Sequence, residues 1–153
     1  MWRFLSILFG DDAAIGGGEA RFTDLQVAAA ALMIEAARAD GTFGEAERQV
    51  IEALLVRHFQ MPPELARQLM AQAERAADES VAWQGFTHAI KEALAPEQRL
   101  EIIEMLWEVA YADGHLHDYE ASLLRRVAGL LYVSDRESGE ARLRVMAKRG
   151  IKT

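Results

Sequence analysis

Four acidic side chains stand in two copies of one phrase. Asp40 and Glu47 belong to ADGTFGEAE, and Asp113 and Glu120 to ADGHLHDYE. Two carboxylates spaced seven residues apart across a glycine turn offer hard oxygen ligands, and the chemistry they suit is holding a divalent cation or a water. His115 and His117 add ring nitrogens in the second copy only. The nearest known pattern is the twelve-residue EF-hand calcium loop. With Gly41 or Gly114 at its sixth position, the acid before it, the apolar Phe43 or Leu116 and the final Glu all fall into place. The first half of the loop does not. Its first ligand would be Ala36 or Val109, its second Arg38 or Tyr111, and Ala36 and Val109 continue the apolar stripe of the preceding helix. A loop whose front half is helix cannot wrap a calcium ion, so an ordinary EF-hand is excluded.

The same residues also serve a purely structural end. Gly after the last helical residue suits the left-handed cap, and Asp accepts amide hydrogen bonds at a turn. Acids in the first turn of the next helix complement its dipole, and Phe43 or Leu116 can tuck into the core. That account leaves the Glu seven places beyond the Asp without a role. Three readings stay open: a turn-holding device, a weak site for a divalent metal ion of unspecified identity, and a protein-recognition patch. No nucleophile elbow, His-Glu-x-x-His or phosphate-cradling loop is present, and Gly16–Gly18 lacks the Lys-Ser/Thr of a P-loop. With no cysteine in the chain, thiolate chemistry is excluded as well. No enzyme is expected.

The elements that must position these acids are helices throughout. Ala, Leu, Glu, Gln and Arg dominate, with apolar residues at spacings of three and four. Thr23 with Gln26 predicts a capping box opening a helix to Ala39, and Thr42 with Glu45 a second, to Gln60. Pro62-Pro63 open a third helix to Ala77, and Ser80 caps a fourth to Leu94. Pro96 opens a fifth to Ala112, a sixth runs from Asp118 to Val133, and Ser134 with Glu137 caps the last. No segment has strand period. The expected fold is all-α: a compact bundle of about seven helices.

The halves are related. Asp40 and Asp113 lie 113 − 40 = 73 residues apart, and at that offset Glu35 meets Glu108, Gly41 meets Gly114 and Glu47 meets Glu120. Apolar character is kept from Leu32/Met105 to Phe59/Tyr132, and His58 meets Leu131. Residues 22–78 and 96–149 therefore read as two three-helix units, bridged by the fourth helix. His58, His88, Trp83, Trp107 and the methionines read as structural. Arg142, Arg144, Lys148, Arg149 and Lys152 read as a solvated basic end that suits a helix C-terminus.

Residues 1–19 stand apart from the domain of residues 20–153. Trp2, Phe4, Leu5, Leu8 and Phe9 form an apolar run, with Gly16–Gly18 as the joint. The run is far shorter than the roughly 20 residues that span a bilayer. It reads as a segment docking on this protein or a partner, or as an interfacial membrane contact. At 153 residues, 51% hydrophobic and 27% charged, the chain is a globular domain. A net charge of −7 argues against nucleic acid and for cations or basic protein partners. The cytoplasm, including the inner face of the membrane, is the expected compartment.

The doubled Ala-Asp-Gly, with an apolar residue and a Glu at fixed places after it, resembles the tellurite-resistance TerB family over roughly residues 22–148. It is also similar to the TerB-like domain ahead of some membrane-anchored J-domain co-chaperones, although no His-Pro-Asp tripeptide is present. The resemblance implies two related helical halves, no enzymatic chemistry, and a place in bacterial stress response near the membrane. It also implies divalent-metal binding at Asp40, Glu47, Asp113 and Glu120, with Glu35 and Glu108 as secondary candidates.

Overall fold

The computed structural model describes residues 22–38, 43–79, 84–112, 114, 116 and 118–151. The apolar run of residues 1–19 lies outside them, as do Asp40, Asp113, His115, His117, Trp83 and Lys152. Among the described residues there are seven helices and no strand: α1 Asp24–Ala37, α2 Glu45–Phe59, α3 Pro63–Glu79, α4 Gln84–Ala93, α5 Pro96–Ala110, α6 Asp118–Leu130 and α7 Asp135–Arg149.

Local chemistry explains the starts. At α1 the Gln26 amide donates to Thr23 Oγ1 at 3.1 Å, and the Thr23 amide donates to Gln26 Oε1 at 2.9 Å. At α7 the Glu137 amide donates to Ser134 Oγ at 3.1 Å, and Glu137 Oε1 accepts from the Ser134 amide at 3.2 Å. Both reciprocal pairs satisfy donors that a helix start otherwise leaves orphaned. The α2 start differs from expectation. Its N-cap is Gly44, in extended conformation, and not Thr42. The sequence holds two overlapping registers with a Glu three residues on, 42–45 and 44–47, and the later one is used.

Packing is organised around α1 and α5, which touch each other. In each half the inner helix packs on the two that follow it, α1 on α2 and α3, α5 on α6 and α7. Each inner helix also receives the middle helix of the other half, α2 against α5 and α6 against α1. Every contact in one half thus has its counterpart in the other, the arrangement of a pseudo-twofold. The bridging helix α4 packs on α1 and α6 and has no counterpart.

Enclosed by their neighbours, the inner helices are buried around most of their circumference beyond the first turn. In α1 residues 28–34, 36 and 37 are all buried, and the run Ala28–Ala31 keeps that helix thin enough for close neighbours. In α5 residues 101–110 are all buried, including Glu101, Glu104 and Glu108. The methionines at 33, 61, 70, 105 and 146 are core, as the sequence suggests, whereas His88 is exposed.

The halves diverge at the ends of α2 and α6. His58 and Leu131 are equivalent and both buried. Beyond them α6 stops early and Tyr132 takes the left-handed conformation, φ 58°, as Gln60 does after α2 at φ 51°. The Val133 amide donates to the Ala128 carbonyl at 2.8 Å and the Tyr132 amide to that of Gly129 at 3.2 Å. This Schellman turn usually has Gly at its left-handed position. The expected equivalence of Phe59 and Tyr132 therefore fails: Phe59 is 1% exposed and Tyr132 70%. Phe59→Ala should cost about 3–5 kcal/mol in urea unfolding. Tyr132→Gly should stay within about 0.5 kcal/mol of wild type, because the relief of roughly 1 kcal/mol of left-handed strain offsets a surface cation–π contact of similar size.

Candidate functional site

Glu47 and Glu120 hold equivalent places, each the third residue of its helix, α2 and α6. Glu47 folds back over its own helix start: a Cβ added at Gly44 would lie 3.4 Å from Glu47 Oε2. Glu120 is buried at 3% exposure. The repeated Glu, left without a role by a turn-only account, thus sits where a carboxylate meets the free amides and positive dipole end of a helix. Ala36 and Val109 are core residues of α1 and α5, so the front half of a calcium loop is indeed helix.

Phe43 and Leu116, the apolar residues after the turns, both pack against the core. The Arg48 guanidinium lies 4.9 Å from the Phe43 ring and binds both oxygens of Glu74 on α3, at 2.7 and 3.0 Å. Arg38, at the end of α1, reaches Asp78 at 2.8 Å and lies 3.9 Å from Glu35. Burial raises the Glu35 carboxyl above its usual range, while Arg38 pulls it down and Asp78 pushes it up.

Glu108, the counterpart of Glu35, is placed differently. It is buried, with Lys148 Nζ at 2.9 Å and Arg149 Nε at 3.4 Å. Arg149 also donates to the Tyr111 carbonyl at 3.2 Å, and Arg144 Nε donates to Glu104 at 2.7 Å. Arg142 donates to the Tyr111 hydroxyl at 2.8 Å and lies over Trp107, whose indole donates to Ser138 at 3.1 Å. The basic end, expected to be solvated, is therefore a row of clamps from α7 onto the acids and C-terminus of α5. Among the described residues no three His, Asp or Glu side chains converge as metal ligands. Asp40, Asp113, His115 and His117 lie outside that set.

The family model for Tellurite resistance protein TerB matches residues 26–143, from α1 into α7. The chain belongs to the TerB family. No curated protein and no solved structure matches it. Both copies of the Asp-Gly phrase fall inside the matched stretch of this TerB domain, which of the helices leaves out only the first two residues of α1 and the last six of α7.

One buried pair of the TerB domain was not foreseen in full. His58 Nδ1 and Glu101 Oε2 are 3.1 Å apart where α2 crosses onto α5, and both side chains are 1% exposed. His58 reads from the sequence as core; Glu101 does not. A signal was present, since Glu101, Glu104 and Glu108 are spaced three and four apart on one face of an otherwise apolar helix. Burial lowers the His58 imidazole from 6.5 to about 3, aided by Arg57 and Lys148 and opposed by Glu104 and Glu108. Burial likewise raises Glu101 from 4.5 to about 7, with Glu104 adding to the rise. Both directions favour the uncharged forms, in which a protonated Glu101 Oε2 can donate to Nδ1 of the ring, and Glu101 Oε1 has no hydrogen-bond partner.

The pair carries one proton between pH 4.5 and 6.5 whether folded, on Glu101, or unfolded, on His58. It gives stability no slope in that window. Above 6.5 the folded chain keeps a proton the unfolded chain has shed, so stability falls as pH rises towards 7. Below 4.5 the unfolded chain gains a second proton that the folded pair accepts only near 3, so stability falls as pH falls. In His58→Leu only Glu101 remains, and folding then weakens with pH from 4.5 upward. The gap in melting temperature between wild type and His58→Leu should widen from pH 4.5 to 6.5 and level off above. A gap constant with pH would refute the one-proton pair.

Proposed function

We propose that this TerB-family chain is a non-catalytic interaction module of bacterial stress response, tuned by a divalent cation at its Asp-Gly turns. The observation behind this reading is that the second turn borders an open groove. Gly114 and Leu116 line it together with Tyr111, Leu143, Met146 and Ile151, around a space of about 710 Å³. Leu143 is 53% exposed there, so the wall offers apolar area to a protein partner. In this reading Asp113 with Glu120, and Asp40 with Glu47, hold the ion. Glu47 and Glu120 bind it with the carboxylates that already complement the α2 and α6 dipoles. Glu35 is a further ligand of the first site. Glu108 is committed to Lys148 and Arg149, and His115 and His117 can contribute nitrogens beside the second turn. An ion there stiffens the groove wall and so couples to partner binding.

Titration with calcium, magnesium, manganese and zinc should give heat and raise the melting temperature. Asp40→Ala with Asp113→Ala should keep the helical spectrum and lose that rise. Absence of heat with all four ions ends the cation part.

A second reading rests on the apolar run at Trp2, Phe4, Leu5, Leu8 and Phe9: a peripheral membrane adaptor at the inner face of the membrane. No helix among the described residues is long and apolar enough to cross a bilayer, so attachment in this reading is interfacial. The full chain should pellet with anionic vesicles and a chain starting at Ala20 should not; equal pelleting would sink it.

A further inference from the structure

Just beyond the C-terminal end of α6, Tyr132 is held out from the fold. Its ring is 70% exposed and its backbone left-handed. The fold does not require an aromatic at this place, because Gln60 occupies the equivalent turn after α2. Two cations from different helices converge on the ring. Lys91 Nζ, from the last turn of α4, lies 5.0 Å from the ring centroid, and the Arg99 guanidinium, from the first turns of α5, lies 5.9 Å from it. Among the described residues neither cation has a carboxylate within salt-bridge distance, and Arg99 Nε is shielded from water without an acceptor. Two like charges gathered without an acid between them repel, and a buried guanidinium N–H without an acceptor is costly. Leu130, 41% exposed, adds apolar surface two residues before the ring.

We propose that Lys91, Arg99, Leu130 and Tyr132 form a docking surface for an acidic segment of a partner protein. A carboxylate of the segment pairs with the Lys91 ammonium and the Arg99 guanidinium, and an apolar side chain beside it covers Tyr132 and Leu130. The charge complementarity is local: in a chain of net charge −7, Lys91 and Arg99 meet at one aromatic ring and suit an acidic ligand. A free phosphate would leave the two apolar residues uncovered. An anionic membrane is held by a wider array of basic residues than this pair.

The test is fluorescence anisotropy of the full chain with a fluorescein-labelled peptide alternating pairs of Glu and Leu. Saturable binding is expected, weakened at roughly 1 M salt, where the screening length is about 3 Å. Lys91→Glu with Arg99→Glu should weaken it at least about tenfold. Tyr132→Gly should also weaken it without lowering the melting temperature, which separates loss of the surface from loss of the fold. No binding, binding unchanged in these variants, or equal binding of a peptide with Lys in place of Glu overturns the proposal. So does peptide-independent pelleting with phosphatidylglycerol vesicles that the same variants abolish, since the surface would then be a lipid site. None of these readings depends on the cation titrations, so this surface and the Asp-Gly turns stand or fall separately.

Discussion

Three glutamates on the buried stretch of an inner helix set the terms for the second half of the molecule. Glu101, Glu104 and Glu108 lie along one side of α5, and a carboxylate taken out of water must be protonated or matched. The protein uses both solutions. Glu101 meets His58 and keeps its proton, while Glu104 and Glu108 are matched by Arg144, Lys148 and Arg149. The side chains of α7 are thereby committed to α5, and α2 is tied by His58 across the boundary between the halves. In the first half Ala28 and Ala31 stand where α5 has Glu101 and Glu104, so the middle of α1 meets its neighbours by close apolar packing. The ion pairs of that half lie at its rim, on Arg38 and Arg48, whereas those of the second half reach acids of the inner helix itself.

This asymmetry bears on where function can sit. Phe43, in the first copy of the Asp-Gly phrase, lies beneath Arg38 and Arg48, whose ion pairs with Asp78 and Glu74 fasten α1 and α2 to α3. The second borders a groove against α7. Glu47 and Glu120 are common to both, each an acid in the first turn of its helix, where it complements the dipole.

What was legible in the sequence was what depends on neighbours in the chain. The capping boxes at Thr23 and Ser134, the proline at the start of α5 and the helical period throughout are local, and they placed the seven helices. The Gly44 start was obscured by the overlapping register at Thr42. The early end of α6 was obscured because no glycine marks the left-handed residue and because the repeat suggested that Tyr132 should follow Phe59 inward. The clamps from α7 join residues about 40 apart in sequence, and the Tyr132 surface draws on three elements. Neither leaves a periodic trace. For the candidate site, the roles of Glu47 and Glu120 as first-turn acids were readable, whereas the commitment of Glu108 to Lys148 and Arg149 was not.

The crossed packing of α2 on α5 and α6 on α1 has an ancestral corollary. Neither three-helix unit is complete alone, since each borrows the middle helix of the other to cover its inner helix. A chain carrying a single unit would find that missing helix only in a second copy of itself, related by a true twofold axis through the α1–α5 contact. The present molecule has the form of such a homodimer fused into one chain. Within one chain the two halves are free to differ, and here one has alanines at the seam where the other has acids.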